Sequence, residues 1–149
     1  MKNRSISIGC DHAGFKHKKH LVEFLRKLGH VVRDFGCENE SSVDYPDFAH
    51  LVATAVSKNK SDLGILLCGS GNGINMTANK YSQIRSALCW NVEIAKLARQ
   101  HNNANILAMP SRYITLQEAE DMTKIFIETD FEGGRHQSRI DKIGKHVEC

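Results

Sequence analysis

The sequence predicts an α/β fold: a doubly wound, three-layer sandwich of Rossmann-like or flavodoxin-like build around a five-stranded parallel sheet. Three observations carry that expectation. Short β-like runs alternate with helical patterns along the whole chain, and no internal repeat is visible. Leu63-Gly-Ile-Leu-Leu67 is apolar without alternation, as suits a strand covered on both faces. Glycine-rich or charged residues follow the strands directly, where folds of this class collect ligands at the carboxyl edge of the sheet.

Taken in order, Ser5-Ile-Ser-Ile-Gly-Cys10 reads as the first strand, and its alternation puts Cys10 in the core. Phe15 to Leu28 is an amphipathic helix with Leu21, Phe24, Leu25 and Leu28 on one face, and Gly29 ends it. Val31-Val-Arg-Asp-Phe35 forms the second strand. A polar loop carrying Asp44-Tyr45-Pro46 leads to a helix from Asp47 to about Lys58. The third strand is the apolar run before Cys68, followed by a glycine turn and a short helix over Ile74 to Lys80. Ile84 to Trp90 makes the fourth strand, and Asn91 caps a helix running to about Gln100. Asn105 to Met109 is the fifth. Thr115 caps the next helix, with Glu118 in capping-box position. A last helix, about 136–146, is expected to pack on a partner subunit, with Arg135 and Arg139 near its start.

The 149 residues make one domain, 1–149, with room for a core. At 41% hydrophobic and 25% charged, the composition argues against disorder. No apolar run could cross a bilayer, so no membrane association is expected. A net charge of +3 without a dense basic block argues against nucleic acid and leaves small anions as better ligands. The first residues carry no apolar leader. Five cysteines, at 10, 37, 68, 89 and 149, show no paired spacing; reduced thiols in the cytoplasm are expected. Cys37, Cys89 and Cys149 have no evident partner.

Cys68-Gly-Ser-Gly-Asn-Gly73 is the most informative stretch. A glycine-rich strand-to-helix turn aims several N–H groups at one spot, which suits an anion, present or developing. There a cysteine can have its pKa lowered toward neutrality. The plainer alternative is a buried structural cysteine beside a tight turn. Two templates fail. The glycines at 69, 71 and 73 leave Ile74 where a dinucleotide fingerprint needs its last glycine, and no Lys-Ser or Lys-Thr pair follows. A cysteine phosphatase needs an arginine at the far end of the turn, where Ile74 stands.

Gly9-Cys-Asp-His-Ala-Gly-Phe15, Cys68-Gly-Ser-Gly-Asn-Gly73, Ala78-Asn-Lys80, Arg99-Gln-His-Asn102 and Glu132-Gly-Gly-Arg-His136 together resemble the type B ribose-5-phosphate isomerases. That family also includes subunits of galactose-6-phosphate and allose-6-phosphate isomerases. The resemblance implies aldose–ketose isomerisation of a sugar phosphate through an enediolate, without metal or cofactor. It makes Cys68 the base that moves a proton between C1 and C2. Ser70, where many members have threonine, would hold the oxyanion with the N–H groups of Gly71 and Gly73, the Gly69 turn completing the cradle. His101 would open the sugar ring and Asn102 contact the substrate. Asp11 would bind sugar hydroxyls and help move protons, Tyr45 would wall the pocket, and Arg112, Arg135, Arg139 and His12 would grip the phosphate. Pro110, where a glycine often precedes the Ser-Arg pair, bears on the placement of Arg112.

Plainer roles stand beside these. His17 and His20, with Lys16, Lys18 and Lys19 between, read as a solvated basic face rather than a metal site. His101 alone would be a helix cap, and Arg135 and Arg139 surface charge. A six-carbon sugar phosphate, allose or galactose 6-phosphate, is the alternative substrate, and a non-catalytic phosphate-binding module the alternative function. Topology adds one expectation. A crossover helix starts at the carboxyl edge of a parallel sheet and ends at the amino edge. Cys68 and His101 should then lie at opposite edges, so a homodimer or dimer of dimers with shared active sites is expected.

Overall fold

The computed structural model describes residues 2–145. Five parallel strands form one sheet: β1 (Ser5–Cys10), β2 (Val31–Asp34), β3 (Leu63–Cys68), β4 (Ser86–Leu88) and β5 (Ile106–Pro110), in the order β2-β1-β3-β5-β4. The helices are α1 (Phe15–Lys27), α2 (Tyr45–Ser57), α3 (Asn72–Ala78), α4 (Val92–Asn102), α5 (Leu116–Glu128) and α6 (Arg135–Ile140). Short 3₁₀ turns at His12–Gly14 and Ser111–Tyr113 follow β1 and β5.

Strand alternation builds two cores. Ile6, Ile8, Cys10, Ile65, Leu67, Leu107 and Met109 face one way, onto buried residues of α1, α4 and α5. Leu66, Cys68, Ile106 and Ala108 face the other way, onto α2 and α3. The three expected layers are therefore present, and Cys68 and the helix behind its turn share one face.

Local signals act as the sequence implies. Gly29 follows α1 at φ +85°. The Asn91 carboxamide accepts from the Ile94 N–H at 2.9 Å. Thr115 and Glu118 close a reciprocal capping box at 3.1 and 2.7 Å. Four boundaries differ most, the largest at α6, which ends at Ile140 instead of near residue 146 and gives way to turns over 141–145. β4 is only Ser86–Leu88, because it is an edge strand paired to β5 alone. α2 begins at Tyr45, with Pro46 in its first turn, where a missing N–H costs nothing. α3 begins at Asn72, inside the glycine turn.

The basic face of α1 is solvated only in part, which corrects the expectation for three of its residues. Lys18 is 3% exposed, and its ammonium donates to both Asp34 oxygens at 2.8 Å. His17 Nε2 lies 2.9 Å from the Ile114 carbonyl and His20 Nε2 2.6 Å from a Glu120 carboxylate oxygen. Lys18 and the two histidines are thus partnered, whereas Lys16 and Lys19 remain exposed as expected. Cys10 is in the core as expected, and Cys37 does have a neighbour: the two sulfurs are 3.8 Å apart as free thiols. Cys149 and residue 146 lie outside the described residues.

Candidate active site

From β1 the chain turns to β2 on one side, and it later places β3 on the other. The crevice beyond the carboxyl ends of β1 and β3 is thus the switch point of the sheet. A cavity of about 370 Å³ opens there, walled by Asp11, Tyr45, Arg112 and Tyr113 over a floor of Cys68, Gly69, Ser70 and Gly73. A larger cavity of about 460 Å³ between Lys2, Arg4, Glu128 and Asp130 holds no nucleophile, so side chains rather than size mark the site.

The Cys68 thiol is 4% exposed. Burial raises its pKa above the ordinary value, and the Asp11 carboxylate pushes the same way. The N–H groups of Ile74, Gly71 and Ser70 oppose that rise without overcoming it. The expectation of a lowered pKa is therefore corrected: desolvation outweighs the turn. Those N–H groups nonetheless favour the thiolate form once the proton leaves.

The turn is glycine-rich because its neighbours are close. Gly71 has φ +74°, and a Cβ there would sit 2.5 Å from the Leu88 side chain. A Cβ on Gly69 would stand 3.0 Å from Arg112 Nη1, so that guanidinium lies directly over the backbone. At Gly73 it would collide with the Tyr45 ring. Pro110 ends β5 opposite Cys68, and Arg112 lines the cavity, so the proline does not displace the Ser-Arg pair.

Asp11 is nearly buried, and its Oδ1 accepts from the N–H groups of Ala13 and Gly14 at 3.0 and 3.3 Å. The carboxylate thus caps a turn while facing the cavity. His12 Nδ1 accepts the Val43 N–H at 3.2 Å, which leaves Nε2 for a ligand. Ser70 Oγ accepts from the Asn72 N–H at 3.3 Å and keeps its own proton to donate.

Two residues have parts in the site that the sequence did not assign: Ser111, expected at this edge but without a role, and Tyr113. Ser111 is buried, with its hydroxyl 2.9 Å from the Cys68 carbonyl and 3.0 Å from that of Ala13, so it ties together the three segments that carry the cavity. Its position directly after a strand was the available signal. Tyr113 lines the cavity from an exposed turn and had none.

The remaining expected residues form a second group. His101 ends α4, and its ring stacks on His136 with centroids 4.3 Å apart. His136 Nε2 lies 3.4 Å from a Glu132 carboxylate oxygen. Loss of water, then His101 and Arg135, lower the His136 pKa, and Arg139 adds to the same effect. Asn102 lines a separate cavity of about 350 Å³ beside Arg85 and Ile143. His101, Asn102, Arg135 and Arg139 do not line the Cys68 cavity.

The family model for ribose/galactose isomerases matches residues 6–143. The chain belongs to that family. It is accordingly an isomerase of sugar phosphates. A Mycoplasma genitalium protein named probable ribose-5-phosphate isomerase B is 47% identical over 141 residues, 93% of each chain. The Escherichia coli ribose-5-phosphate isomerase B is 41% identical over 94% of each. Among solved structures, the Clostridium thermocellum ribose-5-phosphate isomerase B superposes with a TM-score of 0.93 at 45% identity, covering 95% of both chains. The M. genitalium enzyme with bound ribulose 5-phosphate gives 0.90 at 47% identity over 93% of both. Membership in this family removes the non-catalytic alternative.

Proposed function

We propose that this isomerase interconverts ribose 5-phosphate and ribulose 5-phosphate through an enediolate, with Cys68 as the base. The observation that carries this reading is the buried thiol on the floor of the glycine turn, with a carboxylate, a hydroxyl and an arginine around one cavity. The Cys68 thiolate takes the C2 proton of the open aldose, and the C–H electron pair flows to the carbonyl oxygen at C1. The Ser70 hydroxyl and the Gly73 N–H meet that growing charge. The thiol returns its proton to C1, while the O2 hydroxyl proton passes by way of the Asp11 carboxylate to O1. A raised pKa makes the thiolate scarce but a stronger base, and base strength is what a C–H proton demands.

Arg112 lies over Gly69 at one end of this cavity, placed for the substrate's polar end. The second group, His101, Asn102, Arg135 and Arg139, serves the same sugar from a neighbouring chain, His101 for ring opening and the arginines for the phosphate. A dimer, alone or paired into a tetramer, is then the active unit, with α6 packed on the partner. The arginine grip, not a metal, holds the phosphate.

The test is a panel of ribose 5-phosphate, allose 6-phosphate and galactose 6-phosphate with wild-type protein and Cys68→Ala. Ribose 5-phosphate should give the highest kcat/KM, and Cys68→Ala should lose about 10³-fold in turnover. Preference for a hexose phosphate would reassign the substrate. A tenth of wild-type turnover in Cys68→Ala would remove the thiol from the mechanism.

A further inference from the structure

We propose that His101, Glu132 and His136 form a binding site for Zn²⁺ or a similar divalent transition ion, and that occupation of this site inhibits the enzyme. One ligand atom from each of the three residues lies within 4.8 Å of the others. Two imidazoles and a carboxylate are a donor set that borderline metals favour, and three protein ligands leave a fourth position for water.

The geometry is half made. In a tetrahedral zinc site with bonds near 2.05 Å, ligand atoms stand about 3.4 Å apart. The His136–Glu132 edge already measures 3.4 Å. From the 4.8 Å limit the remaining edges close by at most roughly 1.4 Å, and the His101 ring must tilt out of the 15° stack on His136 so that both lone pairs converge. The scaffold under these side chains is fastened at two points. The Glu132 N–H donates to the Gln100 carbonyl at 3.1 Å, and Arg99 Nε donates to the Thr129 carbonyl at 3.2 Å. The loop carrying Glu132 is thereby held against the end of α4, so the site is a property of the fold rather than a chance meeting of mobile groups. Arg135 and Arg139 border the cluster and oppose a cation, which makes this a reversible rather than a structural site.

Inhibition follows from the role given to His101 above and rests on that reading: an imidazole bound to metal has no lone pair for a sugar oxygen. The binding half does not depend on it. Full-length protein stripped with a chelator is titrated with Zn²⁺ alone against a chromophoric competitor, and with Co²⁺ followed by absorption. One ion per chain should bind, with tetrahedral Co²⁺ bands and no thiolate charge-transfer band. Glu132→Gln, conservative and partly exposed, and His136→Ala should each weaken binding by at least about tenfold, the low end of what even an outer partner contributes to a metal site. Cys68→Ala should bind as wild type does. Unchanged affinity in Glu132→Gln, or a charge-transfer band that disappears in Cys68→Ala, overturns the site.

In the isomerase assay Zn²⁺ should inhibit wild type with the midpoint found by titration, reversibly by chelator. Glu132→Gln should stay active and need at least tenfold more zinc for the same inhibition. Zinc bound at this site with turnover untouched overturns the inhibitory half. The activity of His101→Ala without metal then tells whether the role of His101 has failed with it.

Discussion

Mixed dimers give the most discriminating test of the two-chain site. Cys68 pairs opposite Pro110, and Gly64 opposite Ile106, so four residue steps of β5 separate the two edges. At strand rise that is about 13 Å. His101 lies five positions before Ile106, at the end of α4, and therefore beyond the amino edge. A sugar phosphate held against Cys68 is far from the His101 of its own chain. Cys68→Ala and His101→Ala should both be inactive as homodimers. After random exchange of equal amounts, about half the dimers are hybrids, and one of the two sites in each hybrid carries both residues, so about a quarter of wild-type activity should return. Denaturation and refolding of the mixture, with hybrids quantified by native mass spectrometry of differently tagged chains, provides the assay. If hybrids reach half of all dimers and the mixture stays inactive, the topological argument is refuted and both residues serve one subunit.

The raised pKa of Cys68 sets a pH dependence: kcat/KM should climb about tenfold per pH unit through the neutral range, while thiolate is the minority form, and level only above the ordinary thiol value of 9.0. A profile flat between about pH 7 and 9 would count against the thiolate as base. The same shift favours the folded thiol below pH 9.0, a contribution that fades as pH rises through the folded pKa. Arg139→Ala should raise KM about tenfold or more with kcat within a few-fold, as loss of a charge-assisted phosphate bond would; a fall in kcat alone would deny the arginine its phosphate. Asp34→Ala, which strands the Lys18 ammonium, should cost about 3 kcal/mol in urea unfolding, the low end of the range for a buried pair because Asp34 keeps some solvent. The double variant Lys18→Met/Asp34→Leu should recover most of it, and a single-variant loss under about 0.5 kcal/mol would refute the pair's importance.

The fold was legible because its signals are local. The Asn91 cap, the Thr115–Glu118 box and the unbroken apolar run before Cys68 each act within a few residues of chain. The same holds for the candidate site as far as chain position defines it: residues directly after β1, β3 and β5 do meet at one cavity. What escaped was set at long range. Lys18, His17 and His20 looked solvated because their partners, Asp34, the Ile114 carbonyl and Glu120, are supplied by distant segments. The Cys68 pKa was misjudged because the turn's N–H groups are visible in sequence, whereas the depth at which the sulfur is buried is not. Cys37 had no partner on paper since the loop that carries it folds back onto β1 only in space.

The glycine turn around Cys68 constrains how this enzyme can vary. Each glycine answers to a different neighbour: Gly69 to Arg112 after β5, Gly71 to Leu88 of β4, Gly73 to Tyr45 at the start of α2. A single exchange at any of the three puts a methyl group into a separate element, so no one compensating change elsewhere can license drift along the loop. Tolerance to mutation there should be sharply uneven. The solvent-facing Ser70 and Asn72 between the glycines are free of that steric veto, and random libraries under selection for folded protein should accept substitutions at those two places while rejecting them at the alternate positions.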